Sequence, residues 1–191
     1  MTKSQIHHRD GFSLIDIMVT LSIFAIIAAG AVPALVNVAD SMKLGQGQRD
    51  VYQEMQTARL LAVSSNRPIR IRFNCPAAGQ FRLTELIGTP SKPVTDDTAT
   101  DRCSETKWKY PANDNDPTTR PNKDGPIRQL PNKVTFGATS TLEFWPDGTI
   151  HKDAGKLPWD QVGVAGTAIT LVKGTTVKTI SVNGLGKIQL Q

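Results

Sequence analysis

The chain of 191 residues is long enough for one membrane-spanning helix and one globular domain of ordinary size. Its 22 Lys and Arg against 17 Asp and Glu give a formal charge of +5, an excess that permits nucleic-acid binding without indicating it. His151 is the one histidine beyond the first ten residues, and no nucleophile–base signature, phosphate loop or metal cluster accompanies it. We therefore expect no metal site, no cofactor and no enzymatic activity, although composition leaves catalysis by serine or acidic residues alone open.

Residues 11–38 form an almost wholly apolar run in which the one charged residue is Asp16. At about 1.5 Å per helical residue the run can cross a hydrocarbon core of about 30 Å, which predicts a transmembrane helix. The leader carries Lys3 and Arg9, and positive charge stays on the cytoplasmic side of a membrane, so the remaining chain is expected outside the cytoplasm. The plausible processing point, Gly11, precedes the apolar run, and cleavage there leaves the helix attached.

A basic leader, Gly11, Phe12, an acidic residue four positions after Phe12 and Pro33 within a long apolar helix together resemble the signal of type IV prepilins. The resemblance to type IV pilins and pseudopilins implies cleavage after Gly11 by a prepilin peptidase and N-methylation of Phe12. It also implies a single-pass inner-membrane stage with a periplasmic domain, followed by assembly with other pilins or pseudopilins into a pilus or pseudopilus. An inner-membrane assembly platform and a cytoplasmic motor are the further partners that it implies.

Asp16 departs from the family pattern, in which most members have Glu. In the family this acid pairs with the N-terminal amine of a neighbouring subunit, and a carboxylate inside a membrane is costly without a partner. Aspartate keeps the charge with one methylene less, so either the pairing survives with altered geometry or this subunit has a special place in the filament. The alternative is an acid near the membrane interface without a partner. Pro33 is also assigned to assembly, because a proline removes a backbone donor and loosens a helix.

Beyond the apolar run, hydrophobic residues recur at helical spacing, which predicts an amphipathic continuation of the helix over residues 39–66. Gly45 and Gly47 weaken this prediction, since each costs about 1 kcal/mol relative to alanine. Pro68 restricts the residue before it to extended conformations, so the helix is expected to end near Asn66. The apolar stripe comprises Leu44, Val51, Met55, Ala58 and Ala62.

Two strands are expected after the helix, over residues 69–75 and 80–87. In the first, apolar side chains alternate with Arg70 and Arg72, which are therefore expected on the face turned away from the core. The two cysteines, Cys75 and Cys103, both lie in the part expected outside the cytoplasm, and we predict that they form a disulfide. No Cys-x-x-Cys motif is present, which disfavours a metal or redox site.

Residues 88–131 are rich in Pro, Thr, Asp and Asn and indicate a long loop, with one strand-like island at residues 107–110. The acidic groups at residues 96–97 and 114–116 do not meet the spacing of a calcium-binding loop. We expect these acids to be solvated.

The final third is β-rich, because β-branched and aromatic residues recur between clear turn signals. Residues 146–148 and 173–175 predict turns, and Asn183-Gly184 predicts a two-residue hairpin turn. Strands are expected over residues 133–136, 141–145, 168–172, 177–182 and 187–190.

Three shorter pieces resemble the GspH/FimT group of minor pilins and pseudopilins: residues 55–68, residues 144–148 and residues 186–188. This resemblance implies an α+β fold, in which a long N-terminal helix, its first half transmembrane, packs its second half against an antiparallel β-sheet domain. It also implies an initiator or tip subunit. The expected segments are the leader over residues 1–11, the apolar helix over 12–38, its amphipathic continuation over 39–66 and a periplasmic or extracellular β-rich domain over 67–191.

Some FimT-like members bind DNA through an arginine-containing C-terminal tail, so a DNA-binding minor pilin of a competence pilus is the alternative function. The corresponding tail here contains Lys187 and no arginine. Lys178 and Lys187 are the candidate DNA contacts, within a possible patch that also includes Arg67, Arg70, Arg72 and Lys173. The opposing interpretation is that these are ordinary solvent-facing strand positions. A plain single-span periplasmic anchor is a third possibility.

Overall fold

The structure is a computed structural model that describes residues 13–106, 108–111 and 123–191. The chain divides into two compact units with the boundary after Asp40. Helix α1, Leu14–Ser65, supplies the described part of the first unit except for Ser13 and continues as the first element of the second. The described part of the chain thus has the predicted α+β composition, a long N-terminal helix followed by antiparallel sheets.

Helix α1 is continuous through Pro33, Gly45 and Gly47. A long helix tolerates the loss of one backbone hydrogen bond at a proline. Gly47 is buried, and a Cβ there would lie 3.1 Å from Cδ of Pro131 and 3.3 Å from Cδ2 of Leu130. The glycine therefore lets the helix approach the domain closely, which compensates for its low helix propensity. The predicted helix end is confirmed to within a residue: the last helical residue is Ser65, and Asn66 has a positive φ of 53°.

In the described ranges, ten strands form two antiparallel sheets. The six-stranded sheet has the order β3-β2-β1-β5-β6-β7, and the four-stranded sheet has the order β10-β9-β8-β4. In the central strand β1, Ile71 lies opposite Leu83 on one side and Leu142 on the other. The strands are β1 Ile69–Phe73, β2 Gln80–Glu85, β3 Arg128–Gln129, β4 Thr135–Phe136, β5 Leu142–Phe144, β6 Ile150–Lys152, β7 Asp160–Gln161, β8 Thr167–Lys173, β9 Thr176–Val182 and β10 Ile188–Leu190.

The core of the second unit lies between the C-terminal part of α1 and the two sheets. The helical stripe predicted from the spacing is confirmed, since its five residues are fully buried. They join a single apolar cluster with residues of both sheets, including Ile71, Phe144 and Ile180. Burial of this stripe fixes one face of the helix against the sheets. The opposite face, with Leu60 and Val63, is exposed.

Much of the segment expected to be a long loop covers the outer face of the six-stranded sheet. We call residues 88–106, with Trp108, the strap. It contains the short helix α2, Thr95–Thr98, and a 3₁₀ helix, Thr100–Cys103. The disulfide between Cys103 and Cys75, whose Cα atoms are 5.0 Å apart, ties the strap to the chain just after β1, as predicted.

Two predictions for this region were wrong. The strand-like island contains no strand in its described residues. Its Trp108 side chain is instead fully buried and anchors the strap. Asp97 is buried and not solvated, because its carboxylate accepts hydrogen bonds from the backbone N–H groups of Ile87, Gly88 and Val94. The acids at residues 114–116 lie outside the described residues.

The last third follows the predicted strands within one or two residues at each end, with two additions and one different turn. Strands β6 and β7 were not predicted, because three and two residues carry too little pattern. The loop between β9 and β10 has five residues, since Val182 pairs with Ile188. Asn183 accepts the N–H groups of Leu185 and Lys187 on its side-chain oxygen, a local closure that replaces the predicted two-residue turn.

Candidate functional site

The side chains in the described part of the apolar segment are exposed. Its large hydrophobic side chains, from Leu14 to Val38, are between 49% and 77% exposed. The mean hydropathy of its most apolar stretch is 2.3, and none of that stretch is buried in the chain itself. Lipid and packed apolar helices are the two kinds of environment that cover an apolar surface of this size.

Asp16 lies in the first turn of α1, where a negative charge interacts favourably with the helix dipole. Its backbone N–H donates to the carbonyl oxygen of Ser13 at 3.0 Å, and its own carbonyl oxygen accepts from Oγ1 of Thr20 at 2.9 Å. The carboxylate is exposed and makes no salt bridge with any residue in the described ranges. A charge at the start of an apolar helix is thus available to a partner from outside. Gly11 and Phe12, the predicted processing residues, lie outside the described residues.

The three sequence pieces that resemble one family meet at one place in the second unit. Arg59 of α1 donates from Nη1 to the carbonyl oxygen of Gly186 at 3.1 Å. A Cβ on Gly186 would lie 2.7 Å from the carbonyl oxygen of Gly148 and 2.8 Å from Cζ of Arg59. Gly186 has a φ of +81°, so both its conformation and the close approach require glycine. The arginine therefore fastens the helix to the turns after β5 and β9.

The residues of the possible basic patch are divided between the two sheets. Arg70 and Arg72 belong to the six-stranded sheet, whereas Lys173, Lys178 and Lys187 lie in or beside the four-stranded sheet. Arg70 is 3% exposed and Lys173 is 7% exposed, so neither is a solvent-facing strand position. Lys187 is exposed and Lys178 is half-buried beside Gly45 of α1.

Buried charge on the outer face of the six-stranded sheet holds the strap in place. Arg102 donates two hydrogen bonds of 2.8 Å to Asp124, and its guanidinium stacks 4.0 Å from the ring centroid of Trp108. Arg82 donates to four carbonyl oxygens, those of Gly125, Arg102, Ser104 and Trp108. Burial lowers the pKa of Arg82, and the nearby Asp124 carboxylate opposes that shift. The hydrogen bonds join residues that are about 20 or more positions apart, so no local sequence pattern predicts them.

A second set of buried charges lies beneath the start of the strap. Arg70 donates from Nε to Glu143 at 2.7 Å, and its guanidinium lies 4.1 Å from the ring centroid of Trp159. Glu143 also accepts from Nε1 of Trp145 at 2.6 Å. Trp145 stacks on His151 with ring centroids 3.8 Å apart. His151 is thus packed in an aromatic cluster, and in the described ranges no group of three or more His, Cys, Asp or Glu could hold a metal ion.

No protein-family model matches the chain, and no curated protein matches it. Its structure is similar to crystal structures of the type IV minor pilin FimU of Pseudomonas aeruginosa PAO1 in two crystal forms. One has 13% identity and a TM-score of 0.47 over 79% of this chain and 90% of that one. The other has 16% identity and a TM-score of 0.42 over 77% and 91%. The structure of the minor pseudopilin EpsH from the type 2 secretion system of Vibrio cholerae is also similar, with 14% identity, a TM-score of 0.41 and coverage of 78% and 96%.

Proposed function

We propose that the chain is a minor pilin or minor pseudopilin, a structural subunit without enzymatic activity that assembles through its N-terminal helix. The observation that carries this proposal is the uncovered apolar helix with a single acid in its first turn. A membrane alone could cover the apolar side chains, but it gives no reason for a carboxylate near the start of the span. A filament of packed helices supplies both an apolar cover and a cationic partner, the N-terminal amine of a neighbour.

In this proposal the subunit first spans the inner membrane once, with the second unit in the periplasm. A prepilin peptidase removes residues 1–11, the new terminus Phe12 is N-methylated, and an assembly platform moves the helix into the filament. The disulfide between Cys75 and Cys103 fits an oxidising compartment such as the periplasm. The second unit, with its own apolar core, is the part displayed on the filament or at its tip.

The role of Asp16 is tested by comparing Asp16→Ala, Asp16→Asn and Asp16→Glu in cells that assemble the filament. We expect both neutral variants to be processed and stable in the membrane but depleted from the sheared filament fraction, because they leave the neighbour's amine without a carboxylate. Asp16→Glu, which keeps the charge, should assemble. Incorporation of Asp16→Ala at the parent level would show that the acid has no part in assembly.

A further inference from the structure

A small cavity of about 160 Å³ lies on the outer face of the six-stranded sheet, between the strap and the chain that follows β6. Arg70, Arg72 and Trp159 line it together with Thr98 and Thr141. Asp97 and Asp153 complete its wall. The Asp97 side chain is 0% exposed, so the accessible carboxylate here is that of Asp153. The site is separate from the apolar helix and from the processing residues, and nothing in the proposed assembly uses it.

Arg70 and Arg72 differ in how many of their hydrogen-bond donors have a partner. Arg70 is committed, because it pairs with Glu143 at 2.7 Å and donates to the carbonyl oxygen of Asp97 at 3.2 Å. Arg72 donates from Nη1 to the carbonyl oxygen of Ala99 at 3.0 Å, and among the described residues its guanidinium has no other hydrogen bond and no salt bridge. Arg72 is thus a half-buried cation with donors to spare beside an open space.

The surrounding charge favours an anion at this position. Burial lowers the pKa of Arg72, and the neighbouring cations Arg70 and Arg102 lower it further. The Asp124 carboxylate opposes this shift. A half-buried guanidinium with free donors still gains from a negative ligand, and charge-assisted hydrogen bonds to a carboxylate suit its planar donors.

The accessible carboxylate of Asp153 restricts which anion fits, whereas that of Asp97 is buried. The Asp97 oxygens are already occupied by backbone N–H groups and by Arg102, whose Nη1 lies 3.5 Å from Oδ1. Asp153 is exposed, and its Oδ1 accepts from the backbone N–H of Gly155, which leaves acceptor capacity on the carboxylate. A dianion such as phosphate would face the Asp153 carboxylate without donating to it, whereas a monoanion with hydroxyl donors would place its charge on Arg72 and its hydroxyls on Asp153.

We propose that this cavity binds an acidic sugar of the hexuronate class, with its carboxylate on Arg72 and its ring against Trp159. The hydroxyl groups of Thr98 and Thr141 serve as further hydrogen-bond partners, and Asp153 accepts sugar hydroxyls. An aromatic wall with a few polar groups that fix orientation is the usual composition of a small-molecule site. The partner would then be an acidic polysaccharide on a surface that the displayed domain meets.

The test is a fluorescence titration of the full chain in a polyoxyethylene detergent, which contains no sugar headgroup. Glucuronate, glucose and acetate are compared, and a Trp159→Phe variant identifies the signal from the cavity. We expect glucuronate to change the Trp159 emission with saturation, while glucose and acetate bind about tenfold or more weakly, since each lacks half of the recognised groups. Equal responses to glucose and glucuronate, equal responses to acetate and glucuronate, or no response to glucuronate would each overturn the proposal.

Three variants locate the binding within the cavity. Arg72→Gln should weaken glucuronate binding about tenfold or more, as expected when a charged hydrogen-bond partner is lost. Arg67→Gln is the matched control, because Arg67 does not line the cavity and its side chain is 55% exposed. Thr141→Val keeps every charge and should weaken binding more modestly, which preserves the test if Arg72→Gln does not fold. Unchanged affinity in both cavity variants would contradict the assignment.

Discussion

Removal of the Glu143 carboxylate should cost far more stability than removal of the half-exposed Arg67 from its pair with Glu85. Glu143 and Arg70 are 1% and 4% exposed in their side chains, and their pair is 2.7 Å long. Breaking such a pair leaves a buried guanidinium without its counter-charge, which costs about 3–5 kcal/mol. The loss of the acceptor for Nε1 of Trp145 adds about 1 kcal/mol. Glu143→Ala should therefore lower the free energy of unfolding by about 4–6 kcal/mol.

The matched comparison is Arg67→Ala, because Arg67 pairs with Glu85 at 3.3 Å while its side chain is 55% exposed. Glu85 is 8% exposed, but the Arg67 charge is largely solvated, so removal of Arg67 should cost about 1 kcal/mol. Urea unfolding of the full chain in detergent, followed by tryptophan fluorescence, measures both variants. If Glu143→Ala costs no more than Arg67→Ala, the strap does not shield the outer face of the sheet as the structure indicates.

Three further predictions concern the helix, the strap and one buried acid. Gly45→Ala should raise the free energy of unfolding by up to about 1 kcal/mol, since its Cβ meets only the end of the flexible Lys178 side chain. Gly47→Ala should stabilise the protein less, or destabilise it, because its Cβ would crowd Pro131. Equal rises in melting temperature for Gly45→Ala and Gly47→Ala would contradict this packing. Replacing Cys75 and Cys103 by serine opens a loop of sequence separation 28 and should cost about 3.5 kcal/mol in urea unfolding, whereas a loss below about 1 kcal/mol would mean that the bridge does not hold the strap. Burial raises the pKa of Glu54 above its usual 4.5 although Arg128 opposes this, so the folded state binds the proton more tightly. The stability of the parent relative to Glu54→Gln should then fall as pH rises from 4.5 through the raised pKa, and a difference independent of pH would refute the burial of the charge.

The helix and the hairpin strands could be predicted because their signals are local. Pro68 alone places the end of α1 within a residue, and the helical spacing from Leu44 to Ala62 identifies the buried stripe. The long strands β8 and β9 alternate over seven residues each, enough to stand out from the surrounding chain.

The covering of the outer face of the six-stranded sheet could not be predicted, because the contacts that hold the strap there join residues distant in sequence. Alternation correctly separates Arg70 from the core residues of β1, but it cannot show that another segment covers that second face. Glu143 lies 73 residues from Arg70, and the carboxylate of Asp97 is buried through contacts with backbone groups. A composition of Pro, Thr and Asp therefore suggested a solvated loop where the structure has a strap.

The candidate assembly site was recognisable for the opposite reason. One acid in a long apolar run is visible in the sequence without any tertiary contact, and the structure leaves both the acid and the apolar surface exposed. The cavity beside Arg72 combines residues from strand β1, the residue before β5, the strap and the segment after β6, so it is visible only once the fold is known.

The most direct test of the assembly account is the mass of the N-terminal peptide of the protein isolated from cells that have a prepilin peptidase. The account predicts a chain that begins with N-methylated Phe12, and a chain that begins with Met1 in a strain without the peptidase. The variant Gly11→Val should give the unprocessed form in both strains. An intact Met1 terminus on protein recovered from peptidase-containing cells would contradict the account and leave a single-span membrane anchor.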